Sequence, residues 1–236
     1  TGTLGARAAS ATRPGPYLGC RAVIKTIRSV PSATLLVAQL VAVLLYPLAG
    51  ESHAGRALFA LFGIVILALV VRTVGATPGF TWVAVGLGLP AVLLLLIQAV
   101  TGSGTLLPWS SGFEAVLYFY AAYSLIRYIA EDTEITVDEL YAVGATFTLL
   151  AWAFAYTYLV CQAISPGAFG DERTWHEMLF LSFTTLTATG LSDIVPVQDF
   201  ARSLNMTEQI FGLGFVAMLV SRVVALTVIG HRSPPR

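Results

Sequence analysis

The stretch Thr174-Trp175-His176-Glu177-Met178-Leu179-Phe180-Leu181-Ser182-Phe183-Thr184-Thr185-Leu186 leads into a loop of small residues, Thr187-Ala188-Thr189-Gly190-Leu191-Ser192-Asp193. Beyond Pro196 an apolar run covers 204–229. The first piece is apolar but too short to cross a bilayer, which takes about 20 helical residues. Irregular backbone follows it, and a full-length span follows that. This order describes a re-entrant segment, because non-helical backbone persists at membrane depth only when it is buried in protein or lines a watery cavity. Thr174 and Glu177, three apart, fit a capping box, so a helix is predicted to start there and end near Leu186. Its C-terminal end faces the membrane centre in this reading, where the negative end of the helix dipole favours a cation and opposes an anion.

Outward from this stretch the chain reads as an integral membrane protein. Hydrophobic residues make up 56% and charged residues 11%, whereas soluble domains carry about 25% charged residues. The formal net charge of zero leaves no nucleic-acid footprint. Cys20 and Cys161 read as free thiols, with neither a disulfide framework nor a zinc spacing. Apolar spans are predicted at 30–49, 56–71, 80–100 (kinked at Pro90), 113–129, 140–164 and 204–229. Residues 101–112, with Trp109, read as a polar interfacial loop. The predicted fold is therefore all-α, with six transmembrane helices and the re-entrant helix and loop between the fifth and sixth. With both ends on one side, that side holds every Lys and Arg except Arg56, Arg173 and Arg202, so both termini are predicted to be cytoplasmic.

This arrangement resembles the pore module of the potassium-channel superfamily, whose Thr-Val-Gly-Tyr-Gly loops present rings of backbone carbonyls to the ion. Against the extended pattern Thr-Thr-Val-Gly-Tyr-Gly-Asp, the loop matches at Thr187, Gly190 and Asp193 and departs at Ala188, Thr189, Leu191 and Ser192. The flanking Phe183-Thr184-Thr185-Leu186-Thr187, Asp193-Ile194-Val195-Pro196 and Ala201-Arg202-Ser203-Leu204 look like bacterial members of the family. The resemblance is strong over the pore module and rests elsewhere on helix count alone. It implies a cytoplasmic N-terminal segment at 1–29, a voltage-sensor-like four-helix domain at 30–130, a cytoplasmic linker at 131–139, a pore domain at 140–230 and a cytoplasmic tail at 231–236. It also implies a filter at Thr187, Ala188, Thr189, Gly190, Leu191, Ser192 and Asp193, in the membrane of the cell. One loop per chain requires four chains to enclose a pore, so the partners are three further copies and the lipid bilayer. No cofactor or metal site is expected, only a permeant monovalent cation, potassium or sodium.

The departures modify that expectation. Turning successive carbonyls inward alternates the sign of φ, which glycine tolerates and most residues do not. Gly190 keeps one such position, but Ser192 takes the second, where a non-glycine residue at positive φ costs on the order of 1–3 kcal/mol. The outer half of the loop is thus expected to leave the family geometry. Ala188 lacks the hydroxyl that in the family completes the innermost ion site, and Leu191 lacks the tyrosine hydroxyl that tethers the loop. Thr189 adds a hydroxyl where the family has valine. The expected outcome is a cation pore with weak discrimination of potassium from sodium.

Other residues carry paired readings. Asp193 either contributes to a ring of four carboxylates at the outer mouth or tethers the loop. Gly212 and Gly214 permit bending of the last span or close helix approach, the commoner reason. Glu208, near the level of the loop, is a functional candidate or a filter support that pairs with a loop hydroxyl or amide. Arg222 snorkels to the interface or lines the inner mouth. Asp171, Glu172 and Asp199, balanced by Arg173 and Arg202, read as a solvated face. Arg127 alone does not make a voltage sensor, which needs several regularly spaced arginines. His53 and His176 read as incidental loop histidines. The N-terminal lead lacks the apolar core of a signal peptide, and no soluble ligand-binding domain is expected after Arg236. The alternative function is a non-conducting membrane scaffold or regulatory subunit. An intramembrane enzyme is disfavoured, because no His-Glu-x-x-His or Gly-x-Ser-x-Gly element occurs. A secondary transporter is disfavoured because no repeated half is present.

Overall fold

The computed structural model describes residues 31–49, 53–75, 81–101, 106–131 and 137–232, which are helical in the main and contain no strand. The helices are α1 (Pro31–Ala49), α2 (His53–Gly75), α3 (Thr81–Thr101), α4 (Leu107–Glu131), α5 (Val137–Ile164), α6 (Trp175–Leu186) and α7 (Asp199–Arg232). The basic residues before the first span, Cys20, the turn at 50–52, the linker centre at 132–136 and the tail from 233 onward lie outside the described residues.

Among the described residues three segments are long and apolar enough to cross a membrane: Thr81–Gln98, Asp138–Ile164 and Asp199–Ala225. Ser32–Pro47 and Phe62–Gly75 are shorter apolar helices. The chain is an all-α membrane protein. Helix α1 packs on α2, α2 on α3 and α3 on α4, while α5 packs against α1, α4, α6 and α7. Composition explains this central place. Ala142, Ala145, Ala151, Ala153 and Ala155 of α5 are all fully buried, and small residues let neighbouring backbones approach closely. Of the apolar segment in α5, 61% is buried, against 17% in α7. Helix α5 is thus the core of the fold and α7 its edge, with Met206, Ile210, Phe211, Leu213, Val216 and Val220 exposed.

Several expected boundaries move. Helix α4 begins at Leu107 rather than 113, so much of the supposed polar loop is helical. Pro108 sits in the first turn, where its missing amide needs no partner. Ser110 and Ser111 are buried there, and Gln98 Nε2 of α3 donates to Ser110 Oγ at 2.7 Å. Helix α7 begins at Asp199, an acidic residue at the positive end of the dipole. Helix α5 begins at Val137, so the linker expected at 131–139 overlaps the end of α4 and the start of α5.

The acidic end of that linker is not a solvated face. Glu139 is buried and pairs with Arg222 of α7 at 2.5 Å. Arg222, expected to snorkel or to line the inner mouth, is held instead in this ion pair with its side chain 14% exposed. Asp138 accepts from Ser32 Oγ of α1 at 3.3 Å and from the Tyr128 hydroxyl of α4 at 3.4 Å. Arg127 pairs with Glu131 one turn along its own helix.

Arg222→Met leaves the Glu139 carboxylate buried without its cation, a loss of about 3–5 kcal/mol for a buried pair. The variant is expected to unfold at a clearly lower temperature in detergent. Arg222→Met combined with Glu139→Met is expected to recover most of the loss, as read by thermal unfolding of the purified chain.

Candidate functional site

The site is built on α6, whose start is fixed by side chains. Thr174 is its N-cap, with extended backbone at φ −78° and ψ 163°. Glu177 N donates to Thr174 Oγ1 at 3.4 Å, and Thr174 N donates to Glu177 Oε2 at 2.7 Å, the reciprocal pair of a capping box. The Thr174 amide and hydroxyl, assisted by the Arg173 guanidinium, hold the Glu177 carboxyl below the ordinary carboxylate range. Arg173 also lies 3.8 Å from Asp171. The backbone just before the cap is clasped by Gln162 at the end of α5, which accepts from Arg173 N at 2.8 Å and donates to Arg173 O at 3.0 Å.

An aromatic cluster docks the first turn of α6 against the rest of the bundle. Trp175 meets Trp152 of α5 edge to face at 5.1 Å, and His176 stacks on Tyr46 of α1 at 4.4 Å and 7°. Burial pushes the His176 imidazole below its ordinary value. His176, expected to be incidental, is part of the contact between the first helix and α6.

The other end of α6 stops in a Schellman closure. Ala188 N donates to Thr185 O at 2.9 Å and Thr189 N to Thr184 O at 3.0 Å, and Gly190 N reaches the same Thr184 carbonyl at 3.1 Å. This closure needs a left-handed residue just past the cap, a position usually filled by glycine. Here Ala188 fills it, at φ 56°, and Gly190 follows at φ 64°. The left-handed non-glycine residue of the loop is thus Ala188 and not Ser192. Ser192 keeps an ordinary φ, and its hydroxyl accepts from Ile194 N at 3.1 Å. The two hydroxyls of the loop also turn back to the helix: Thr187 Oγ1 donates to Phe183 O at 2.7 Å and Thr189 Oγ1 to Thr184 O at 3.2 Å.

The result is a polar asymmetry. The amides of Ala188, Thr189 and Gly190 are all satisfied, while among the described residues no carbonyl from Thr187 to Ser192 accepts a hydrogen bond. Thr187, Ala188, Thr189, Gly190 and Leu191 are exposed on the single chain, and Leu191 is 78% exposed with no tether to the helix. Asp193 is also exposed, and among the described residues its carboxylate has no partner.

Behind the loop stands α7. Glu208 is fully buried and is contacted by the hydroxyls of Tyr158 on α5 and Ser182 on α6. Asn205 Nδ2 donates to Thr185 Oγ1 at 2.9 Å and to the Tyr158 hydroxyl at 3.2 Å. A Cβ placed on Gly212 would overlap the Leu186 carbonyl oxygen, so this glycine admits the end of α6 against α7. Gly214 has nothing within 4 Å in the single chain. Gln198 ties the loop before α7 to the loop after α5 by contacting Ser165 and donating to Pro166 O at 3.1 Å. Asn205, Tyr158, Ser182, Gln162 and Gln198 were not visible as site residues in the sequence. Each is an ordinary polar residue whose partner lies in another element.

A capped half-length helix, a loop whose carbonyls accept no hydrogen bond and a long helix behind it make up this segment, and it is this segment that matches a known family. Residues 135–228, nearly all of α5 to α7, match the family described as ion channel. The segment is thus similar to ion channels of the potassium-channel type. No curated protein and no solved structure matched the chain significantly.

Gly212→Ala forces α7 away from a backbone carbonyl that has little room to shift, whereas Gly214→Ala meets open space. The first is expected to lower the unfolding temperature and the yield of folded protein, while the second leaves the unfolding of the single chain unchanged. Circular dichroism melts of the two variants in the same detergent compare them directly.

Proposed function

We propose that the chain is a subunit of a homotetrameric cation channel of the cell membrane, with six spanning helices, both termini cytoplasmic and α6 re-entrant from the outer side. The observation that carries this reading is the row of unpaired carbonyls between Thr187 and Ser192. Bare carbonyls at membrane depth are costly unless water or an ion meets them, and the carbonyl-facing end of α6 adds its negative dipole. In this reading 140–230 forms the pore domain, 30–130 the surrounding four-helix domain, and the exposed face of α7 packs against other copies. A monovalent cation gives up its water to the oxygens of four loops.

The filter selects weakly between potassium and sodium. Ala188 offers no hydroxyl to the innermost site, the left-handed positions are Ala188 and Gly190 rather than a pair of glycines, and Leu191 is untethered. The same departures favour a second reading, a non-conducting scaffold, and one experiment separates the two. Proteoliposomes bearing the purified chain are expected to carry potassium and sodium flux, with bi-ionic reversal potentials that give a permeability ratio well below about a hundredfold, the order of a selective carbonyl filter. Absence of flux supports the scaffold, and a larger ratio refutes weak selectivity.

Asp193, exposed and unpartnered, supplies a ring of carboxylates at the outer mouth that concentrates cations. Asp193→Asn is expected to lower unitary conductance severalfold in dilute salt and hardly at all at about 1 M, where the Debye length shrinks to about 3 Å. Single-channel recordings at the two ionic strengths read the difference.

A further inference from the structure

We propose that Tyr158, Ser182, Asn205 and Glu208 form a brace that holds the left-handed turn at Ala188 and through it sets the ion preference of the filter, an inference that rests on the channel reading above. A residue with a Cβ is disfavoured at φ 56° and keeps that backbone only when its surroundings over-determine it. The Thr184 carbonyl holds the far side of the turn by receiving the Thr189 and Gly190 amides, and the near side runs through one carbonyl and one hydroxyl of Thr185. The carbonyl receives the Ala188 amide at 2.9 Å, and the hydroxyl receives the Asn205 amide at 2.9 Å. Asn205 also donates to the Tyr158 hydroxyl at 3.2 Å, and Tyr158 in turn donates to Glu208.

The far end of the brace is equally fixed. The Ser182 hydroxyl, with its single hydrogen, is shared between the Ala151 carbonyl oxygen at 2.8 Å and Glu208. Tyr158, Ser182 and Glu208 are fully buried and Thr185 is 6% exposed, so water cannot replace a lost partner at low cost. Three helices, α5, α6 and α7, thus meet in the brace, and Asn205 links it to the residue whose carbonyl terminates the strained turn. None of the four brace side chains contacts a loop carbonyl; they are positioning residues that act through Thr185. The carbonyls of Ala188 and Thr189 point where the turn points them. If the turn relaxes, the oxygens that replace the ion's water move with it.

The test uses the full chain in bilayers, with Asn205→Leu and Tyr158→Phe each alone and each combined with Ala188→Gly, which removes the strain that the brace opposes. Asn205→Leu and Tyr158→Phe are expected to shift the potassium-to-sodium permeability ratio by about threefold to tenfold, the range that one lost hydrogen bond corresponds to. Adding Ala188→Gly is expected to bring the ratio back toward the parent value, because glycine holds φ 56° unaided. A purely structural role predicts no such rescue. Amide hydrogen exchange at Ala188, Thr189 and Gly190 provides a second readout independent of ion flow: faster in Asn205→Leu and slowed again in the double variant. Conduction with unchanged ratios and unchanged exchange in both single variants overturns the brace, as does failure of Ala188→Gly to rescue either readout. A parent chain that carries no ions while exchange responds as expected overturns the channel reading and the ion-preference half, and upholds the hold on the turn.

Discussion

A helix of twelve residues extends about 18 Å, short of the roughly 30 Å of a bilayer core, and in the channel reading proposed above its last turn and the backbone beyond it need a protein wall. Helix α7 is that wall, and its fit depends on one missing methyl group. Gly212 lets the Leu186 carbonyl lie directly on the α7 backbone, and the buried Glu208 one turn earlier joins Ser182 of α6 to Tyr158 of α5. The loop can keep its carbonyls bare because its amides and hydroxyls are already satisfied by α6. Without that accounting, the exposed backbone would be as expensive in hydrocarbon as any other unpaired chain.

Helix α5 transmits this arrangement to the rest of the molecule. Its alanine-rich surface accepts α1, α4, α6 and α7. Aromatic side chains then fix the orientation: Trp152 presents one edge to Tyr118 of α4 and meets Trp175 of α6 on another side. Packing of this kind carries most of the cohesion between helices where lipid and side chain are equally apolar. The four-helix part is accordingly in contact with the start of α6 directly, through Tyr46 and His176, as well as through α5.

What the sequence makes legible is local or compositional. Long apolar runs declare helices, the Thr174 and Glu177 spacing declares a helix start, and the small-residue loop declares irregular backbone. The start of α4 is masked by Ser110, Ser111 and Gly112, which look like loop residues because their burial against α3 cannot be seen in a linear pattern. The strained position is equally illegible: the family pattern draws attention to Ser192 as the missing second glycine, whereas the closure of α6 requires its left-handed residue directly after the cap, at Ala188. Partnerships across distance are illegible for the same reason. Glu139 with Arg222, His176 with Tyr46 and Gln162 with Arg173 each join separate elements, and nothing in the spacing of one member names the other.

The two ends of α7 are fastened in different ways. At the N-terminal end Gln198, Asn205, Glu208 and Gly212 tie it to loops, to α6 and to α5 in close succession. From Gly212 to Arg222 lies roughly 15 Å of helix, and over that length the contacts thin to Phe215, the partly buried Met218 and Leu219, and the charge pair with Glu139. Stiffness is therefore graded along the helix, like a rod clamped in masonry at one end and hooked at the other. The helix is held most closely where it meets the loop, at Asn205, Glu208 and Gly212, and more sparsely toward Arg222.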